Sequence, residues 1–169
     1  NLMRRNFIVK LGVTRKLIMS RRLLIAGNWK MNCKIDDGIT LANAVVDKLK
    51  AAGDISFDML VCPPYTLIGA VAGAASGSPL SVGAQDCHSE ERGAHTGDIS
   101  AAMLRDAGCS FVIVGHSERR AEHGETDVLV RSKAKVANSV GLNAVICIGE
   151  TEAERDAEKT LNVVKAQIT

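Results

Sequence analysis

The chain has 169 residues, 46% of them hydrophobic but only 3% aromatic, with five cysteines and a formal net charge of +2. That composition supports one sizeable core of Ala, Val, Ile and Leu and argues against an aromatic-rich binding module. The charge is uneven: Arg4, Arg5, Lys10, Arg15, Lys16, Arg21 and Arg22 all precede the first acid, Asp36, and the other 14 basic residues face 19 acids, a formal −5 that argues against nucleic-acid binding.

Residues 1–21 read as a basic, acid-free extension, and residues 22–169 as the folded domain. For the extension two readings stand side by side: unstructured sequence upstream of a natural start at Met19, or an organelle transit peptide, against which counts the scarcity of hydroxyl residues before Ser20. Lys10, Arg15 and Lys16 interrupt any signal-peptide core, and no apolar run approaches the roughly 18 residues of a membrane helix. Cys33, Cys62, Cys87, Cys109 and Cys147 are odd in number, widely spaced and free of Cys-x-x-Cys pairs, which suggests neither a disulfide framework nor a zinc site. A cytoplasmic protein with no metal, membrane or nucleic-acid partner is expected.

Strand-like runs follow at 23–26, 59–62, 80–83, 111–114 and 144–148, with helical or polar segments between them. Ile39, Leu41, Ala42, Val45, Val46 and Leu49 line the first helix, with Asp36 and Asp37 as cap candidates and Gly53 as its stop. Pro63 and Pro64 close the second strand, and Leu67, Ile68, Val71, Ala72 and Ala75 form the next helical face. A polar loop is expected from the third strand through Gly97. Val128, Val130, Ala134, Val136, Ala137 and Val140 mark a helix ending at Gly141, and the run at 144–148 reads as a parallel strand covered on both faces. Thr151 with Glu154 makes a capping box for one last helix. The alternation predicts a single α/β domain with a parallel sheet.

Two strand ends carry chemistry. After the first, Asn28 and Lys30 stand two residues apart, so that an extended chain would turn both into one pocket, where the lysine would serve an anionic substrate or transition state. A solvent-facing lysine beside a packed Trp29 fits the same segment. After the fourth, Gly115 delivers His116 to a helix start with Ser117 as candidate N-cap. A helix N-terminus disfavours imidazolium, so a neutral His116 could donate to a developing oxyanion. A histidine that merely packs at a turn fits equally well.

GNWKMN at 27–32, CPPYTL at 62–67, GAQD at 83–86, GAHTGD at 93–98, VGHSERR at 114–120 and ICIGET at 146–151 resemble the triosephosphate isomerase family, in order and at similar intervals. The resemblance covers about residues 22–169. It implies an eight-stranded βα (TIM) barrel that interconverts dihydroxyacetone phosphate and D-glyceraldehyde 3-phosphate without a cofactor. It further implies Asn28 and Lys30 as the substrate-binding pair, with Lys30 also catalytic, and His116 as the electrophile. Ser117 and Glu118 would be its supporting neighbours, and Cys147 is read as packing. This family is itself the standing example of a histidine kept neutral at a helix terminus. Thr96 resembles a loop tip that reaches the second subunit of a homodimer, and Asp98 with Arg119 an intersubunit ion pair. His88, His95 and His123 read as loop residues, because no carboxylate or cysteine stands at ligand spacing in a recognisable site.

A barrel of this kind takes about 250 residues, and only five of its eight βα units are visible here. The family's catalytic glutamate, after the sixth strand, has no counterpart in this sequence. The 169 residues alone are therefore expected to show little or no isomerase activity, and five strands that cannot close are expected to leave two sheet edges and uncovered apolar surface. Two other readings remain: a truncated, non-catalytic product that binds a partner or a complementary fragment, and a different sugar-phosphate enzyme on a related barrel.

Overall fold

The computed structural model describes residues 22–168. The basic extension, residues 1–21, lies outside them; Arg22, the first described residue, meets Asp58 Oδ1 through its Nε at 2.6 Å, and its guanidinium also donates to the carbonyls of Ile55 and Phe57. Chain order runs β1 (Leu23–Asn28), α1 (Ile35–Ala52), β2 (Phe57–Cys62), a 3₁₀ turn (Tyr65–Leu67), α2 (Ile68–Ala75), β3 (Leu80–Ala84) and α3 (Ala101–Asp106). It continues through β4 (Phe111–Val114), α4 (Ser117–Glu122), α5 (Asp127–Ser139), β5 (Asn143–Ile146), α6 (Glu152–Asp156) and α7 (Thr160–Ile168). The strands form one parallel sheet in sequence order, β1 through β5, with Ile25 opposite Met59 and Val112 opposite Ala144.

Side-chain alternation divides the sheet into two faces. On the helix side, Val61 and Val82 pack with Ala42, Val46 and Leu49 of α1 and Val71 and Ala75 of α2. Farther along, Val112 and Val114 pack with Leu104, Val130, Ala134 and Ala137. The opposite face holds a smaller cluster of Leu60, Cys62 and Ile113, with Phe111, Val145 and Cys147 half-buried against it. Burial raises the Cys62 and Cys87 thiols to about 12 and Cys109 to about 11.

Several local expectations change. Asp36 and Asp37 fall inside the first turn of α1, whose cap is Lys34, its N–H donating to Asp37 Oδ2 at 3.3 Å. The polar region after β3 ends in α3, started by Ser100, which accepts from Met103 N–H and buries Ala101 and Leu104. Thr151 and Glu154 do form a capping box, but the helix they start ends at Asp156, and Glu158 at φ 57° separates it from α7. β5 is covered only in part: Ala144 packs on the helix-side cluster and Val145 on the opposite one, both half-buried, while Ile146 is 50% exposed at what is, among the described residues, an edge of the sheet. At the other edge, Leu23 and Ile25 are similarly open.

Gly115 controls the exit from β4. Its φ of 69° is a left-handed value, and a Cβ there would lie 2.7 Å from Val130 Cγ1. Gly115→Ala is expected to destabilise the fold by about 2–4 kcal/mol, since the strained backbone and the clash act together. An unchanged urea midpoint would contradict this account of the turn.

Candidate active site

Successive strands deliver polar groups to one end of the sheet. Asn28 ends β1, Gln85 follows β3, and His116 follows β4; with Lys30, Tyr65, Glu118 and Arg119 they line a cavity of about 330 Å³. Asn28 and Lys30 thus meet at one cavity, but not by strand alternation. Lys30 has left the strand and sits at φ 53°, a left-handed conformation that costs a non-glycine residue about 1–3 kcal/mol. Its N–H donates to Asn28 Oδ1 at 3.0 Å, its carbonyl accepts from Gln85 Nε2 at 2.8 Å, and its Nζ donates to Glu118 Oε1 at 2.6 Å. That last bond, ahead of any other influence, holds the Glu118 carboxyl below its ordinary range.

The cap of α4 is His116, with Ser117 already the first helical residue. After the left-handed turn at Gly115, the imidazole takes the acceptor role usually filled by a hydroxyl, receiving the Glu118 N–H on Nδ1 at 3.3 Å. A Glu118 carboxylate oxygen lies 3.5 Å from the same nitrogen, but that carboxylate is held by Lys30. With Nδ1 accepting, the proton of the neutral ring belongs on Nε2, which becomes the donor. His116 also borders a second cavity of about 320 Å³, lined by Arg120, Cys147, Ile148 and Gly149 among others. A larger cavity of about 430 Å³, between α5 and α7 on the helix side of β5, contains neither Lys30 nor His116. Half-buried Cys147 packs beside Cys62 and Ile113, and burial raises its thiol.

Four charges are gathered beneath this end of the sheet. Lys133 Nζ donates to both carboxylate oxygens of Asp86 at 2.8 Å and to Glu125 Oε1 at 2.5 Å, while Arg119 reaches Glu125 at 2.6 Å and Asp86 at 2.9 Å. Asp86, Glu125 and Lys133 are all buried. Desolvation pushes both carboxyls up; in Asp86 it wins, whereas in Glu125 the bonds from Lys133 and Arg119 outweigh it and leave the group below its ordinary range. The sequence reading missed this cluster. Its signal was Lys133 itself, a cation on the buried stripe that Val130, Ala134 and Ala137 define on α5.

The other expected residues stand apart. Thr96 is exposed on the loop before α3. Asp98 lies 3.8 Å from His88 Nε2, and Arg119 is engaged with Glu125 and Asp86 of its own chain. Contrary to the spacing argument, a carboxylate does join the loop histidines: His88, His95 and Asp98 place ligand atoms within 4.8 Å of one another. His88 Nδ1, however, accepts the Glu90 N–H at 3.0 Å, so Nε2 carries the ring proton, and ligation there would have to break that bond. His123 lines the cavity beside Glu122.

A parallel sheet in sequence order, helices on one face and polar side chains gathered at the strands' carboxyl ends define a member of the βα-barrel class. The family profile for triosephosphate isomerase matches residues 23–169. Triosephosphate isomerase of Bradyrhizobium diazoefficiens is 54% identical over 150 residues, covering 87% of this chain and 58% of that protein. The one from Ruegeria pomeroyi is 55% identical over 152 residues, covering 88% and 57%. A crystal structure of triosephosphate isomerase from Bartonella henselae superposes with a TM-score of 0.79 at 41% identity, covering 88% of this chain and 60% of that one. The chain belongs to the triosephosphate isomerase family, and it spans less than two thirds of the length of these relatives.

Replacing Lys133 by Met would leave Asp86 and Glu125 buried with Arg119 as their one cation in the cluster. A loss of about 3–5 kcal/mol at neutral pH is expected, read from denaturant midpoints. The deficit should shrink on acidification. Without Lys133 the Asp86 carboxyl rises further above its unfolded value, so the variant's folded state takes up a proton first and gains stability as pH falls. A deficit that grows below pH 5 would contradict this.

Proposed function

We propose that the protein to which this chain belongs interconverts dihydroxyacetone phosphate and D-glyceraldehyde 3-phosphate through an enediolate, in glycolysis and gluconeogenesis. The observation that carries this reading is the convergence of Asn28, Lys30 and His116 on one cavity at the carboxyl ends of parallel strands. In it, the Lys30 ammonium binds the substrate's anionic group and offsets charge that develops on the enediolate. Nε2 of His116 donates to the substrate carbonyl oxygen as that oxygen becomes negative, while Nδ1 is held by the Glu118 N–H. Asn28 braces Lys30 through its backbone and adds a polar contact for substrate. Ser117 and Glu118 support the pair, Glu118 by orienting the ammonium.

The base that removes the carbon-bound proton is a glutamate in the family and has no counterpart in this sequence. The 169 residues alone are therefore assigned little or no turnover, since general-base chemistry is typically worth about 10²- to 10⁴-fold. A cytoplasmic homodimer is the proposed setting. Exposed Thr96 is available as the loop tip that meets a second subunit, whereas Arg119, committed to Glu125 and Asp86, could reach the partner's Asp98 only with its remaining N–H groups.

Reading the gene beyond the Thr169 codon and assaying the product of the complete frame tests this function. A sixth strand, a glutamate-bearing loop and isomerase activity are expected; a verified stop directly after Thr169 would sink the reading. In an active protein, His116→Gln should lower kcat far more than it weakens ligand affinity, by about 10²-fold or more, because the imidazole acts on the transition state. Lys30→Met should instead weaken binding of the anionic substrate, and the difference from wild type should narrow as salt rises. Equal losses in kcat and affinity for His116→Gln would remove its assigned role.

A further inference from the structure

Lys30 carries a left-handed backbone without being glycine, and the contacts that hold it there can be followed atom by atom. Asn28 Oδ1 takes its N–H and Glu118 takes its amine, so both ends of the residue are tied to groups on the cavity wall. Its carbonyl is tied elsewhere. Gln85 Nε2 donates to Lys30 O at 2.8 Å and to Cys62 O at 2.8 Å, using both hydrogens of the amide. The Cys62 carbonyl at the end of β2 also accepts the Trp29 N–H at 3.0 Å. One amide just beyond β3 thereby laces the carboxyl ends of β1, β2 and β3 together.

We propose that Gln85 is a positioning residue for the reaction: it fixes the left-handed turn at Lys30, and through it the place of the ammonium in the cavity. The proposal rests on the anion-binding role assigned above to Lys30. No other residue type of this size does the same work, because glutamate would present only acceptors to two carbonyl oxygens and methionine would present neither donor nor acceptor of use. Asparagine keeps the amide but falls one methylene short of two carbonyls that the glutamine reaches together.

The test uses the protein expressed from its complete reading frame. Gln85→Met should lower kcat/KM for dihydroxyacetone phosphate by about 10²-fold, the usual scale for displacing a reacting group by about 1 Å. The Lys30→Met, Gln85→Met double variant should then be no worse than Lys30→Met alone, because Gln85 acts only through Lys30. A residue that merely stabilised the fold would give additive losses, and additivity overturns the proposal. Crystal structures of wild type and Gln85→Met supply a readout that needs no turnover. Lys30 should leave the left-handed region and its contact with Glu118 should open; an unmoved Lys30 also overturns the proposal. An inactive wild type would count against the isomerase reading, while the two crystal structures would still decide the role of Gln85. Gln85→Asn, expected to change both readouts in the same direction, covers the case in which the methionine variant does not fold.

Discussion

Burying two carboxylates beside two cations is the constraint on which this end of the molecule depends. Asp86 follows β3, Arg119 lies in α4, Glu125 precedes α5 and Lys133 lies within it, so neutralising these charges fixes three separate elements at once. None of the buried members could be left unpaired without a large penalty, and the pairing works only if α4 sits where Arg119 spans both acids. His116 and Glu118 belong to that same short segment. The orientation of the imidazole is therefore set partly by a charge cluster of which Asp86 and Arg119 border the cavity, while Glu125 and Lys133 are not among its lining residues.

Above the cluster, the cavity side is built from backbone irregularity. Gly115 accepts a left-handed turn because it has no Cβ to meet Val130. Lys30 accepts one because its N–H, carbonyl and amine are all engaged. The two departures from regular structure bring together the cation and the ring, one after β1 and the other after β4. Strain of this kind persists when neighbouring groups over-determine it, and the neighbours are identifiable here.

Much of the fold was legible in the sequence. Five apolar runs located five strands to within two residues or so at each end, because parallel strands backed by helices leave a continuous apolar signature. Asn28, Lys30 and His116 were legible as polar residues at or beyond strand ends, and the structure brings the three to one cavity. What escaped was conformation that depends on distant partners. Strand alternation gave the right cavity for Lys30 by the wrong route, since its left-handed φ is held by Gln85, 55 positions away. Ser117 was the natural cap by residue type, yet the turn at Gly115 placed His116 there instead. β5 looked covered on both faces because its composition is that of an interior strand, while in the structure it forms an edge of the five-stranded sheet. The charge cluster was hidden because its members are scattered between positions 86 and 133, and only Lys133 contradicted its local pattern.

The cysteines give this architecture an intrinsic chemical record. Cys62, Cys87 and Cys109 are buried with thiols raised well above neutrality, so in the native state they present almost no thiolate to an alkylating reagent. Cys33, on the surface ahead of α1, has no such shield. Modification of the interior thiols must then proceed through opening of the core, and its pace reports how often the sheet and helices part. The three sulfurs are divided between two clusters, Cys62 on one face of the sheet and Cys87 and Cys109 on the other. Their separate labelling rates would distinguish breathing of the two faces within a single molecule.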